Sequence, residues 1–135
     1  MCVGLLEVRD IMTCPTITED EDTLVAKLSR SMTLSGIGSV VITKEYKPIG
    51  IVTDRDIVIK VIMKGKDQSM VKAKEIMSSP LITIEPDASL GYICKFLIEQ
   101  GIRRLPVIED DELVGMVSLR NIVTTEPLNV KQYLF

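Results

Sequence analysis

Histidine is absent from the sequence. The commonest general base and the commonest metal ligand are therefore missing, which removes triad hydrolysis and most zinc chemistry before any motif is considered. Cysteine is scarce: Cys2, Cys14 and Cys94 are odd in number and far apart, with no CxxC pair. Neither a redox centre nor a thiolate metal site is expected, and the thiols read as small apolar side chains. No apolar run approaches the roughly 20 residues of a membrane span. The start Met1-Cys2-Val3-Gly4-Leu5-Leu6 lacks the basic region of a secretion signal, so no membrane partner and a cytoplasmic location are expected. Excess positive charge is missing too. Sixteen basic against nineteen acidic residues give a net charge of −3, with no basic run, which argues against a nucleic-acid partner.

What is present is an ordinary globular composition, 46% hydrophobic and 26% charged over 135 residues, enough for one compact domain with a real core. Laid over itself, the chain repeats. Ile11-Met12-Thr13-Cys14-Pro15 matches Ile76-Met77-Ser78-Ser79-Pro80, and Gly36-Ile37 matches Gly101-Ile102. In the same register Ile49-Gly50-Ile51-Val52-Thr53-Asp54-Arg55-Asp56-Ile57 matches Val114-Gly115-Met116-Val117-Ser118-Leu119-Arg120-Asn121-Ile122. Three blocks at one spacing of 65 residues identify a duplicated unit.

Within each copy the periodicity predicts β-α-β-β-α. A short strand at Thr16-Ile17-Thr18, or Leu81 to Ile84, opens it. A helix follows, with an apolar stripe of Leu24, Val25, Leu28 and Met32 ended by Gly36 in copy one. In copy two it is capped at Pro86-Asp87, carries Leu90, Ile93, Cys94, Leu97 and Ile98, and ends at Gly101. Two hairpins follow, Val40-Val41-Ile42 to Ile49–Val52 around Glu45-Tyr46-Lys47-Pro48, and Leu105–Ile108 to Leu113–Val117 around Glu109-Asp110-Asp111-Glu112. A second helix over Ile57, Val58, Val61 and Ile62 runs to Gly65, and Pro127 cuts its counterpart short. The expected organisation is a single module over 1–135: repeat 1 at 8–63, a polar linker at 64–72, repeat 2 at 73–125 and a tail at 126–135. The fold class is α+β, two tandem repeats packed about a pseudo-two-fold axis so that each covers the other's sheet and clefts come in pairs. The seven methionines read as core fillers.

These residues resemble the CBS-domain family, whose members occur as tandem pairs of this size. The resemblance covers Val8 to Val123 and rests on the openings at Ile11-Met12 and Ile76-Met77, the block Gly101-Ile102-Arg103-Arg104-Leu105-Pro106-Val107, and the block from Gly50 to Ile57. It implies a regulatory module that binds AMP, ADP, ATP or a relative such as S-adenosylmethionine in clefts between the repeats. It also implies that a hydroxyl and an acid three residues later hold the ribose, here Thr53 and Asp56, with Ser118 and Asn121 in copy two. The adenine slot is implied to come from the opposite repeat, Ile82 and Thr83 for the first site and Ile17 and Thr18 for the second. Arg104 is implied as the phosphate-binding base. Flat homodimers are usual in such a family, and the apolar stretches Val58–Met63 and Leu90–Ile98 suit that role. No catalytic residue, metal or obligatory cofactor is implied.

The residues support that reading chemically. A hydroxyl at a strand end and a carboxylate in the next helical turn both face the sheet edge, where free N–H groups gather. An ionised Asp56 can accept bonds from two adjacent ribose hydroxyls, each contributing roughly 1.5–3 kcal/mol. Thr53-x-x-Asp56 equally reads as a helix capping box. Arg103 and Arg104 point to opposite faces of a strand, so at most one meets phosphate, and Arg104 is preferred; Arg55 and Arg120, in the first helical turns, are also within reach of phosphate but read first as exposed surface residues. The copies are unequal: Gly38-Ser39 replaces the Arg pair in one, and Asn121 replaces the acid in the other. The rival reading is a ligand-free dimerisation module. The regulated partner protein is not identified by sequence.

Overall fold

The computed structural model describes residues 6–14 and 16–125. The described residues fall into two compact units, one over 17–81 and the other joining 6–14 and 16 to 82–125. The expected tail at 126–135 and Pro127 lie outside the described residues, as does Cys2. No described helix is long and apolar enough to cross a membrane.

In the unit over 17–81, β1 (Thr18–Asp20) pairs parallel with β2 (Ser39–Lys44), and β2 pairs antiparallel with β3 (Lys47–Thr53), with Ser39 opposite Thr53. Between β1 and β2 runs α1 (Val25–Ser35). Its buried residues Val25, Leu28 and Met32 recur at helical spacing and meet Val40, Ile42 and Val52 in the core. Leu24, expected on that stripe, is instead the N-cap and is exposed. It supplies no side-chain cap, and the orphan donors at the helix start are satisfied from elsewhere: Val25 and Ala26 donate to the carbonyls of Val71 and Gln68. Gly36 ends the helix in the left-handed conformation at φ 65°, where a Cβ would be strained.

After β3 the chain turns into α2 (Asp54–Ile57), which passes into a π-helical stretch, Val58–Ile62. The short α3 (Ala73–Ile76) follows. Ile57, Val61, Val71, Ala73 and Ile76 complete the core.

The second unit repeats the plan with α4 (Leu90–Gln100), β4 (Arg104–Glu109), β5 (Glu112–Ser118) and α5 (Leu119–Thr125). Its core is Val8, Ile93, Cys94, Leu97, Leu105, Val107, Val117 and Ile122. Ser89, rather than Pro86-Asp87, is the N-cap of α4; its hydroxyl accepts from the Tyr92 amide at 3.3 Å. The expected strand at Leu81–Ile84 is reduced to one parallel bridge, Ile84 to Val107.

Both hairpins close with two residues at positive φ, Glu45-Tyr46 (51° and 68°) and Asp110-Asp111 (51° and 65°). This is the turn that matches strand twist, made here without glycine. Lys47 and Pro48, expected in the turn, belong to the edge strand β3, where a missing N–H is tolerated.

Each unit includes the opening segment of the other sequence repeat. Ala73 and Lys74 donate to Thr23 and Glu21, and Ser78 bridges to Ile51 in both directions. In the other unit Val8 and Arg9 donate to Ala88 and Pro86, and Thr13 bridges to Met116. Glycine in the receiving strand permits this approach. A Cβ on Gly50 would lie 2.6 Å from Met77 Sδ, and one on Gly115 2.6 Å from Met12 Sδ. The methionine of each opening motif thus sits on the bare backbone of the strand it joins.

Candidate functional site

Four of the residues singled out by sequence form two strand-to-helix corners, Thr53 with Asp56 and Ser118 with Asn121. At the first, Thr53 ends β3 and caps α2. Its Oγ1 accepts from the Asp56 amide at 3.1 Å, while Asp56 Oδ2 accepts from the Thr53 amide at 2.9 Å and from Thr53 Oγ1 at 3.1 Å. The capping-box reading is therefore realised. The other oxygen, Oδ1, stays outside the box and faces Lys60 Nζ at 3.1 Å; that ammonium also donates to the Ile76 carbonyl at 2.8 Å.

At the second corner Ser118 ends β5 and Asn121 repeats the box: Oδ1 accepts from the Ser118 amide at 2.8 Å and hydroxyl at 2.9 Å, and the Asn121 amide donates to Ser118 Oγ at 3.1 Å. Because the Ser118 N–H can only donate, the oxygen of the Asn121 amide must face it. The NH2 group is thereby directed away from the box. Asp56 presents an acceptor where Asn121 presents a donor.

Arg104 opens β4 directly across from Ser118, so the two side chains share one face of the ladder. Ser39, buried, holds the equivalent place opposite Thr53. Arg104 is half-buried, whereas Arg103 precedes the strand and is exposed, its carbonyl accepting from Leu119 at 2.7 Å. Arg55 and Arg120 are exposed in the first turns of α2 and α5. The structure thus assembles Thr53 with Asp56, and Ser118 with Asn121 and Arg104. Ile17 and Thr18 belong to the unit that holds Thr53 and Asp56, and Ile82 and Thr83 to the unit that holds Ser118 and Asn121. Each pair therefore lies in the other unit from the corner it was assigned to.

Lys60 was not legible as part of the corner by motif. Its signal was the spacing Asp-x-x-x-Lys, which puts an acid and a base on one helix face. A cavity of about 250 Å³ lies elsewhere, lined by Arg9, Glu85, Pro86, Asp87, Ile108, Glu109 and Asp110. Glu7, bonded to Arg9 at 2.8 Å, raises the guanidinium above its ordinary pKa, with Glu109 and Asp87 adding to the effect. Four carboxylates against one arginine make that cavity a poor host for phosphate. Among the described residues no group of three or more Cys, Asp or Glu side chains is arranged to hold a metal ion.

Comparison with known proteins agrees with this architecture. The CBS domain family model matches twice, at residues 8–62 and 73–126. Uncharacterized protein MK0525 of Methanopyrus kandleri is 43% identical over 128 residues, which are 93% of this chain and 62% of that protein, so the chain spans less than two thirds of that relative's length. Among solved structures, the CBS domain pair of protein MJ0100 in complex with 5′-methylthioadenosine and S-adenosyl-L-methionine superposes with a TM-score of 0.81 at 25% identity, covering 90% of this chain and 95% of that one. The hexameric CBS-CP12 protein from bloom-forming cyanobacteria superposes with a TM-score of 0.82 at 30% identity, covering 88% of this chain and 67% of that one. Two matched copies in one register, with the same corner built in each, place the chain in the CBS-domain family as a tandem CBS pair, a regulatory module.

Proposed function

We propose that this chain is a non-catalytic sensor of an adenosine-containing nucleotide, of the AMP, ADP or ATP class or a relative such as S-adenosylmethionine, and that it signals occupancy to a partner protein. The observation that carries the reading is the unboxed oxygen of Asp56. A capping residue needs one oxygen, and this acid keeps a second, charged acceptor 3.1 Å from an ammonium at the sheet edge, suited to a sugar hydroxyl. The adenosine ligands bound by the MJ0100 pair support the ligand class. In this reading Thr53 and Asp56 hold the ribose at the corner of the unit over 17–81, with Arg55 in the first turn of α2 as its nearby base. Ser118 and Asn121, with Arg104 for phosphate and Arg103 and Arg120 as alternatives, make the weaker second site.

Calorimetric titration with AMP, ADP, ATP and S-adenosylmethionine tests it. Binding of at least one, weakened about tenfold or more by Asp56→Asn, is the expected result. Absence of heat or thermal shift with all four at millimolar concentration overturns it.

The second reading, a ligand-free dimerisation module, is favoured by one feature: Val58, Ile59, Ile62 and Met63 are exposed side by side on the stretch after α2. Homodimerisation through this face is compatible with both readings. A monomeric mass by light scattering removes it from either.

A further inference from the structure

The acid of the first corner is more heavily engaged than capping requires. A carboxylate has about four lone-pair positions on its two oxygens. On Asp56, Oδ2 accepts two bonds from Thr53 at 2.9 and 3.1 Å, and Oδ1 carries the Lys60 ammonium at 3.1 Å. One position remains. The ammonium is not a loose surface charge, because its bond to the Ile76 carbonyl, 2.8 Å, anchors it a second time. That carbonyl closes α3, where the helix itself offers no partner. Ile76 is 2% exposed and the Asp56 side chain 15%, so Lys60 joins two acceptors that water reaches poorly. An isolated exposed pair at this spacing has little hold; a cation shared between two half-hidden acceptors stays.

We infer that Lys60 determines the sugar specificity of this corner: it retains one acceptor position of Asp56, so that the acid takes a single ribose hydroxyl rather than the vicinal pair. The inference rests on the ribose reading above and adds a ligand rule to it, that one of the two hydroxyls is dispensable. The second repeat has no such device, since Thr125 stands where Lys60 does and Asn121 where Asp56 does.

The test is calorimetric titration of the full chain with AMP, 2′-deoxy-AMP and 3′-deoxy-AMP, for the natural sequence, Lys60→Met and Lys60→Arg. In the natural sequence one deoxy ligand binds within about threefold of AMP and the other loses about tenfold or more. Lys60→Met frees the second position, and both deoxy ligands then lose about tenfold relative to AMP. Lys60→Arg keeps a cation and the natural pattern. A tenfold loss with both deoxy ligands on the natural sequence, or a Lys60→Met pattern identical to the natural one, overturns the inference while the ribose reading stands. If none of AMP, ADP, ATP and S-adenosylmethionine binds, or neither deletion costs affinity, the ribose reading falls and the inference with it; where ATP binds and AMP does not, its 2′- and 3′-deoxy forms take the same places in the comparison. Ratios between ligands on one protein do not follow a general change in stability, and the three ligands on the natural sequence decide the matter even if Lys60→Met fails to fold.

Discussion

At the end of β3, Asp56 turns its second oxygen away from the capping box; at the end of β5, Asn121 turns an NH2 group the same way. The boxes themselves agree within about 0.2 Å, from 2.9 to 2.8 Å for the strand-end amide and 3.1 to 2.9 Å for the hydroxyl. The cap is therefore indifferent to whether the third residue after the hydroxyl is an acid or an amide, so capping alone does not account for a charge at position 56. The difference teaches where to look for function: in the half of the side chain that the local structure does not use.

The largest expected effect lies one step upstream of the corners. Gly50→Ala pushes a Cβ to 2.6 Å from Met77 Sδ and 2.9 Å from the Ser78 carbonyl; Gly115→Ala meets Met12 Sδ at the same distance but backbone only at 3.2 Å. A thioether can swing away and a bridged carbonyl cannot. Denaturant unfolding should show Gly50→Ala costing about 3 kcal/mol and Gly115→Ala about 1 kcal/mol. Equal losses would mean that the methionines, not the backbone, set the tolerance.

Exchanging the corners comes next. Asp56→Asn keeps the box, as Asn121 demonstrates, and should change the unfolding free energy by less than about 1 kcal/mol while nucleotide affinity falls about tenfold or more. Asn121→Asp gives the second corner, which already holds Arg104 across from Ser118, a charged acceptor and should strengthen AMP binding there about tenfold, seen as a second event in the titration. If Asp56→Asn loses stability and affinity in proportion, the acid is a structural residue.

The turns allow a smaller, stabilising change. Replacing Glu45-Tyr46 or Asp110-Asp111 by Asn-Gly relieves side chains held at positive φ and should add about 0.5–1 kcal/mol in each unit. Glu45-Tyr46 should gain more, because aspartate tolerates the left-handed region better than tyrosine does.

Thiol reactivity separates the units without altering stability. Burial raises the Cys94 pKa, so the thiol stays protonated within its core, while Cys14 is exposed with its Sγ 3.3 Å from the Val114 carbonyl. A thiol reagent on the native protein should modify Cys14 before Cys94, which reacts only on unfolding. Early modification of Cys94, located by peptide mapping, would show that the core around α4 opens easily.

The smallest effect is at Asp22, hydrogen-bonded to Lys74 at 3.0 Å with Lys72 at 3.5 Å; the lysines hold its carboxyl below its ordinary pKa. A depressed carboxyl contributes stability above its unfolded pKa and loses it as the pH falls through the folded value. Asp22→Asn should therefore lower stability slightly at neutral pH and not at all in strong acid. Glu7 and Arg9 occupy the corresponding places in the other unit, so the same substitution at Asp87 should matter less.

The duplication made most of the fold legible. Apolar spacing located α1 and α4, Gly36 and Gly101 marked their ends, and the hairpins followed from alternation around charged turns. Where sequence and structure differ, a long-range partner replaces a local signal. Leu24 looked like core because nothing local could show that Gln68 and Val71 supply the acceptors a capping side chain would otherwise provide. The first strand falls on Thr18–Asp20 rather than Thr16–Thr18, because an edge strand carries charge and so lacks the apolar alternation that reveals central ones. The corner motif was legible, down to its double meaning as cap and ligand. Its directionality was not, since which amide atom of Asn121 faces inward depends on the Ser118 N–H, and the hold of Lys60 depends on a carbonyl sixteen residues away.

The exchange of opening segments carries a consequence for how such a chain can be inherited. Residues 6–14 fold with 82–125, and 71–78 fold with the strands that precede them. A cut in the 64–70 stretch would leave each fragment holding a piece that belongs to the other and missing one of its own. A lone repeat is thus an incomplete object, and lineages that copy, transplant or lose this module should do so two repeats at a time.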